Sequence, residues 1–248
     1  LAEPLPDDTA AALRQAFVEH CVLYFRAQNL SEQNQLDFTR YFGEPQVHVR
    51  AQSEPVTPGI FIVSNVKKNG RPIGALGDGE VKFHSDLAYM PKPGSISMLY
   101  AIEIPQSGGA TQWSSGYAAY DALDDEMKQR LQGMRAIHQH VSEELNPAEP
   151  VDHPIVCTHP QSGRKALFVT PLFTRSIVGL QAQASDELLS TLCAHVTQPR
   201  FIWTHQWQQG DLLMWDNRPT MHRREPFPAH LRRLMKRTQI FCDARPCE

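Results

Sequence analysis

Short segments of strand-like composition, separated by turn residues, recur along most of the chain and constrain its fold more than any other feature. They read GIFIVSNV, SISMLYAIE, ATQWS, KALFVT, RFIWTHQW, LLMWDN and RRLMKRTQIF, with proline and glycine at the joins. Helical patterns interrupt them only occasionally, so the regular alternation of strand and helix that builds a parallel sheet is missing. The pattern predicts a mainly β fold with flanking helices, of the β-sandwich or jelly-roll kind.

The sequence also predicts four helices, over 7–21, 31–43, 124–134 and 185–198. Asp7 or Asp8 is the expected N-cap of the first helix. Ser31 is the expected N-cap of the second, but no full capping box is expected, because Asn34 stands where such a box has Glu or Gln. The polar run 142–154 is the least regular part of the chain and is interpreted as a loop that could act as a lid.

Length, charge and cysteine usage narrow the class of protein. A chain of 248 residues with 41% hydrophobic residues and no evident linker suits one domain over residues 1–248. The formal net charge of −3 argues against general affinity for nucleic acid or an anionic membrane, and no apolar run approaches the roughly 20 residues of a spanning helix. Five cysteines without a CxxC spacing indicate a reduced, cytoplasmic compartment.

His84 and Asp86, separated only by Ser85, are the first candidates for chemistry. Alternate residues of a strand share one face, so the imidazole and the carboxylate could point at one place. His222, in a later β segment, is the candidate third ligand, because a jelly roll brings distant strands together. Two histidines and one carboxylate leave adjacent metal positions open, which suits non-haem Fe(II) oxygen chemistry better than a closed four-ligand zinc site.

Chance patterns compete with this interpretation. A single H-x-D pair is most often a solvated polar pair. His138 and His140 form a rival same-face pair on a possible strand, but no carboxylate of matching spacing accompanies them, so they are interpreted as structural.

Two arginines share a face of the last predicted strand. Arg233, Met235 and Arg237 alternate with Leu234 and Lys236, which puts the two guanidinium groups about 13 Å apart along one face. They could bind two separate anions, and a solvated basic edge strand is the alternative. A nucleic-acid surface is disfavoured, because no aromatic platform accompanies the basic residues.

Taken in order, the motifs resemble the taurine dioxygenase and 2,4-dichlorophenoxyacetate dioxygenase family. They are His84-x-Asp86, Thr111 in GGATQW, His222 in WDNRPTMHR and the arginine strand RRLMKR. The resemblance extends over nearly the whole chain and implies a double-stranded β-helix, the jelly roll shared with cupins. It also implies an Fe(II)- and 2-oxoglutarate-dependent dioxygenase that uses O2, hydroxylates its substrate and releases succinate and CO2. Phe83 departs from the family pattern, which usually has Trp there, and is expected to alter the wall beside the metal.

The resemblance further implies three groups of site residues. The iron ligands, which are also the catalytic residues, would be His84, Asp86 and His222. The pair that holds the distal carboxylate of 2-oxoglutarate would be Thr111 and Arg233. The substrate-binding residues would be Arg237, Arg71 and His48.

The expected substrate is a small organic anion of the aryloxyalkanoate, sulfonate or alkyl sulfate type. Two buried arginines beside one Fe(II) would repel each other unless each had its own anion, and 2-oxoglutarate can neutralise only one. The alternatives are a nucleic-acid demethylase of the same fold, a cupin-like metal-binding protein without turnover, and a zinc hydrolase. No nucleic-acid or membrane partner is expected, and a homo-oligomer is left open.

Overall fold

A computed structural model describes residues 1–49 and 57–247 of the chain. In these ranges the α-helices are α1 Asp7–His20, α2 Glu32–Arg40, α3 Gly116–Asp121, α4 Asp125–Arg130 and α5 Ala182–Val196, and short 3-10 helices cover Glu143–Leu145 and Pro199–Phe201. The strands are β1 Val22–Phe25, β2 Phe61–Ser64, β3 Lys67–Lys68, β4 Arg71–Pro72, β5 Ala75–Leu76, β6 Val81–His84, β7 Gly94–Glu103, β8 Thr111–Ser115, β9 Arg135–His138, β10 Val151–Pro154, β11 Val156–Thr158, β12 Lys165–Leu167, β13 Thr174–Ile177, β14 Ile202–His205, β15 Leu212–Asp216, β16 Thr220–Arg224 and β17 Leu234–Phe241. Among the described residues, no helix combines the length and the apolar character needed to cross a membrane.

Two mainly antiparallel sheets form the body of the molecule. One has six strands in the order β1-β15-β7-β17-β2-β5, and the other has four in the order β14-β8-β16-β6. Side chains of both sheets share one core, in which the rings of Trp113 on β8 and Trp215 on β15 lie 5.6 Å apart. This sandwich confirms the predicted mainly β, jelly-roll architecture with flanking helices.

Strand β7 lies at the centre of the six-stranded sheet and is buried on both faces. Met98 and Tyr100 pack into the cluster that includes helices α1 and α2, whereas Leu99 and Ala101 pack into the core between the two sheets. Successive side chains of a strand point to opposite faces, so burial on both faces explains why this segment is apolar nearly throughout.

The outer face of the four-stranded sheet packs against a second core that contains helix α5. Phe83 of β6 and Met221 of β16 join Leu188 and Leu192 of the helix in this cluster. Phe83 therefore packs on the face away from His84, and the expectation that it alters the wall beside the metal is wrong. The physical reason is that neighbouring side chains of a strand point to opposite faces, so Phe83 and His84 cannot share one.

Ser31 is the N-cap of helix α2, as predicted, but the expected N-cap of helix α1 and the expected lack of a capping box in α2 are both wrong. Helix α1 begins at Asp7 with Pro6 as its N-cap, so Asp7 and Asp8 lie in the first turn, where the helix dipole favours negative charge. Helix α2 does have a capping box. The Ser31 hydroxyl accepts a hydrogen bond from Asn34 N at 3.1 Å, and Asn34 Oδ1 accepts one from Ser31 N at 3.0 Å. The Asn carboxamide supplies the acceptor that Glu or Gln usually provides.

The polar run 142–154 is only partly a loop. Glu143–Leu145 form a 3-10 turn, and Val151–Pro154 form β10, which pairs with β9. Val151 and His153 are buried, so the end of this run belongs to a sheet. The lid interpretation is therefore wrong for Val151–Pro154.

Candidate metal centre

The sheet register brings His84 and His222 side by side. His84 ends β6 and His222 lies in the middle of β16, directly opposite it in the antiparallel pairing. Directly opposed residues share a face, and the two ring centroids are 4.2 Å apart. Asp86 lies in the turn after β6 and not on the strand. The turn, and not the alternation of side chains along a strand as predicted, therefore brings its carboxylate to the two histidines. One ligand atom from each of the three buried residues lies within 4.8 Å of the others, close enough for one ion to draw them together.

Both histidines can ligate a metal in their neutral form. His84 Nδ1 contacts the Lys82 carbonyl at 2.8 Å, which makes Nδ1 the donor and leaves Nε2 as the free lone pair, 3.7 Å from Asp86 Oδ1. Burial, with His84 as the next cause, lowers the pKa of His222 to about 3. His222 Nδ1 has no hydrogen-bond partner among the described residues. At neutral pH His222 is therefore uncharged, which is the form of imidazole that binds metal.

Asp86 carries the negative charge of the site. Burial alone would raise the pKa of its carboxyl, but the Arg237 guanidinium and the two histidines outweigh burial and hold that pKa well below its usual range. Its Oδ1 lies 3.3 Å from Arg237 Nη1, and its Oδ2 accepts a hydrogen bond from Ser97 Oγ at 2.6 Å. A buried, ionised carboxylate beside two imidazoles is the donor set that a divalent first-row metal requires.

Thr111 and Arg233 both lie close to Arg224. Thr111 lies opposite Arg224 on neighbouring strands, and its Oγ1 accepts a hydrogen bond from Trp207 Nε1 at 2.9 Å. Arg233 is only 2% exposed, and its Nε finds no acceptor within the described ranges. Burial, with neighbouring Arg224 as the second cause, lowers the pKa of Arg233 to about 9, so the guanidinium stays charged at neutral pH. A buried cation without an acceptor fits a carboxylate from outside the chain.

The predicted substrate residues separate into two sets. Arg237 lies 4.9 Å above the Phe61 ring, and the half-buried His48 ring lies 4.0 Å from the same ring. These contacts connect His48 to the metal centre through Phe61 and Arg237. Arg71 is exposed on the β3–β4 hairpin, and no hydrogen bond or ion pair in the described part of the chain joins it to the candidate ligands.

Sequence reasoning missed the polar groups that surround Asp86. Ser97, Asn217 and Gln239 are all buried and hydrogen-bonded to one another or to Asp86. The sequence did offer one signal, which is the hydroxyl of Ser97 within the otherwise apolar run SISMLYA. A polar side chain in a run that is expected to be buried needs a hydrogen-bond partner.

The rival histidines His138 and His140 lie in different surroundings. His140 lies beyond the end of β9 and packs against Tyr89 and Phe173. His138, at the end of β9, lies 5.3 Å from the His153 ring, and both pack against Phe168. Within the described residues, they are not part of any group of three metal-ligating side chains. This supports the structural interpretation of His138.

The structure has two sizeable cavities in its described part, and both lie beside the candidate ligands without including them. One of about 600 Å³ is lined by residues that include His159, Arg218 and Cys242, and one of about 430 Å³ by residues that include Tyr24 and Trp203. None of the three candidate ligands lines either cavity. The donor chemistry, and not the volume of a cavity, therefore identifies the site.

Comparisons with known proteins agree with this chemistry. The family model "Taurine catabolism dioxygenase TauD, TfdA family" matches residues 1–239. Pentalenolactone F synthase of Streptomyces arenae is 34% identical, over 84% of this chain and 78% of its own length. The alpha-ketoglutarate-dependent 2,4-dichlorophenoxyacetate dioxygenase of Cupriavidus pinatubonensis is 32% identical, over 98% of this chain and 92% of its own length. The crystal structure of AAD-2 in complex with Mn(II) and N-oxalylglycine matches with a TM-score of 0.83 and 29% identity, covering 99% of this chain and 92% of that one.

Proposed function

Because the chain belongs to the TauD, TfdA family of taurine catabolism dioxygenases, we propose that His84, Asp86 and His222 hold the iron of an Fe(II)- and 2-oxoglutarate-dependent dioxygenase. When bound, the metal and 2-oxoglutarate activate O2 for hydroxylation of the substrate, with release of succinate and CO2. The protein contributes two imidazoles and one buried carboxylate from one side, which leaves the remaining metal positions for cosubstrate and O2. Three buried donors within 4.8 Å of one another are the observation that carries this assignment.

Thr111 and Arg233 hold the distal carboxylate of 2-oxoglutarate. The Arg233 guanidinium is charged and buried, and its Nε lacks an acceptor in the described part of the chain. A planar guanidinium can bind a carboxylate through two parallel hydrogen bonds. Thr111 Oγ1 already accepts a hydrogen bond from Trp207, so its own hydrogen is free to be donated to the carboxylate.

The substrate is a small organic anion that Arg237 orients, assisted by His48 and, more weakly, by Arg71. Asp86 supplies a partial counter-charge to Arg237. A metal on Asp86 would share that carboxylate, and Arg237 Nε has no acceptor among the described residues. The guanidinium thus retains capacity for an anion from outside. The aromatic pair Phe61 and His48 beside it suits a substrate with an apolar or aryl body, as in an aryloxyalkanoate.

A panel of matched substrates tests this assignment. Each pair consists of an aryloxyalkanoate, sulfonate or sulfate ester and its neutral amide or ether counterpart, with 2-oxoglutarate-dependent succinate formation as the readout. We expect the wild-type protein to prefer the acids and Arg237→Met to lose that preference. Arg232→Met is the matched control, because Arg232 is an exposed neighbour paired with Glu103. Equal turnover of neutral and anionic partners by the wild type would overturn the assignment.

A further inference from the structure

Ser97 contacts three other buried polar side chains, those of Asp86, Asn217 and Gln239. It is on β7, opposite Trp215 of β15 on one side and Gln239 of β17 on the other. Asn217 Nδ2 and Gln239 Nε2 both contact Ser97 Oγ at 3.0 Å, and Ser97 Oγ lies 2.6 Å from Asp86 Oδ2. Ser97 is 0% exposed, so water does not compete for these contacts.

The neighbours of Asn217 fix the direction of these hydrogen bonds. Asn217 Oδ1 accepts from Trp215 Nε1 at 2.9 Å and from Asp86 N at 3.1 Å. Both of those groups can only donate, so the amide oxygen must face them and Asn217 Nδ2 must face Ser97. A serine hydroxyl has two acceptor lone pairs and one hydrogen. With the lone pairs occupied by Asn217 and Gln239, the hydrogen can go only to Asp86 Oδ2.

We propose that Ser97 is a positioning residue that holds Asp86 as a single-oxygen metal ligand. Its hydroxyl occupies Oδ2 and leaves Oδ1, the oxygen nearer to His84 Nε2, to the metal. The distance of 2.6 Å is that of a hydrogen bond strengthened by the negative charge of the acceptor. The proposal rests on the assignment of His84, Asp86 and His222 as ligands and adds which carboxylate oxygen binds and what holds the other.

Holding Asp86 as a single-oxygen ligand keeps one more coordination position of the metal open. A carboxylate free to rotate can bind through both oxygens and occupy one further position, which cosubstrate or O2 needs. A partner hydrogen-bonded to the second oxygen prevents this and also fixes the ligand before the metal arrives. Removing the hydroxyl should therefore change both the affinity for the metal and the coordination number.

The test uses the full chain, stripped of metal by a chelator and titrated anaerobically with Co(II) as the probe. The visible absorption of Co(II) reports binding, and its band positions and intensity report the coordination number. We expect Ser97→Ala to bind Co(II) about 10–100-fold more weakly than the wild type, with an altered spectrum. The matched control is Ser95→Ala, a buried serine two residues earlier on the same strand whose hydroxyl donates to the Ile240 carbonyl. It should retain the wild-type affinity and spectrum.

The outcomes separate this inference from the ligand assignment. A wild-type protein that binds no Co(II), or a His222→Ala variant that binds as well as the wild type, would refute the assignment itself. If the wild type binds normally and Ser97→Ala matches Ser95→Ala in affinity and spectrum, the assignment stands and the role of Ser97 is refuted. Should Ser97→Ala not fold, Gln239→Met decides. It removes one donor to Ser97 Oγ, so we expect weaker binding with an altered spectrum, and wild-type behaviour would refute the role.

Discussion

At the scale of single residues, two buried guanidinium groups that each keep an unused donor are the most informative groups. Arg233 and Arg237 are both nearly fully buried, and each has an Nε without a partner in the described part of the chain. Burying a polar donor without an acceptor costs free energy, so folding alone does not account for two arginines that each leave one buried donor unused. An enzyme that binds a dicarboxylate cosubstrate and an anionic substrate has a use for both.

Replacing Arg233 should weaken binding of 2-oxoglutarate specifically. Removing one partner of a buried charged pair costs about 3–5 kcal/mol, which corresponds to about 10²–10³-fold in affinity. We expect Arg233→Met to raise the 2-oxoglutarate concentration for half-maximal succinate formation by that factor. Anaerobic calorimetric titration of the cosubstrate should show the same loss.

The neighbouring residue supplies the control for Arg233. Arg232 has a side chain that is 60% exposed and is paired with Glu103, outside the site. Arg232→Met should leave the 2-oxoglutarate concentration for half-maximal succinate formation unchanged. Equal effects of the two substitutions would remove Arg233 from the cosubstrate site.

At the scale of secondary-structure elements, the capping box of helix α2 should contribute measurably to stability. Ser31→Ala removes the acceptor for Asn34 N, and loss of such a cap typically costs about 1 kcal/mol. In a chain of this size that corresponds to a fall in Tm of roughly 2–4 °C. Ser31→Gly is the matched variant and should cost only a few tenths of a kcal/mol, since glycine is itself acceptable at an N-cap. Urea unfolding followed by circular dichroism measures the stability of both variants. Equal losses of stability in Ser31→Ala and Ser31→Gly would contradict the role of Ser31 as an N-cap.

The three-stranded sheet β10-β9-β13 should make the fold sensitive to acid. Burial is the main cause that lowers the pKa of His138 to about 3 and that of His153 to about 4. In the unfolded chain both pKa values return to about 6.5. The unfolded state therefore binds more protons, so stability is fully present above pH 6.5 and is lost as pH falls toward 4, by about 1.4 kcal/mol per pH unit for each histidine.

Urea unfolding between pH 7.5 and 5 measures this dependence. His138→Gln removes one of the buried histidines that take up a proton on unfolding, and it should make stability fall less steeply with decreasing pH. The exposed His230 provides the control. We expect His230→Gln to show the same dependence of the unfolding free energy on pH as the wild type. A wild-type slope in His138→Gln would show that this sheet does not cause the acid sensitivity.

At the scale of the whole molecule, we expect residues 1–248 to unfold as one domain. The four tryptophans all belong to the two main sheets or the segment between β14 and β15, whereas the longer helices α1 and α5 pack against the outer faces of those sheets. Tryptophan fluorescence therefore reports on the sandwich, and circular dichroism at 222 nm reports mainly on the helices. Coincident urea transitions from the two probes would support a single cooperative unit, and separated midpoints would contradict it.

Local patterns in the sequence were enough to predict the mainly β fold and the central chemistry. The period of two along RRLMKR agrees with the burial of Arg233, Met235 and Arg237 and the partial exposure of Leu234 and Lys236. The side chain of Met235 lies in the core between the sheets. The spacing of His84 and Asp86, together with the ordered motifs through His222, identified the family. These features are local in the chain, and short-range geometry fixes which face a side chain takes.

Only the tertiary structure decided how the site is held together. Asp86 contacts Arg237 across 151 residues of sequence, and Ser97 contacts Asn217 and Gln239 across 120 and 142. These partners depend on which strands are neighbours and in what register, and the packing of the whole sandwich sets that register. The sequence by itself therefore determined which groups could ligate a metal, while the register of β15, β7 and β17 determined which buried polar groups surround the carboxylate, because no local pattern specifies a partner more than a hundred residues away.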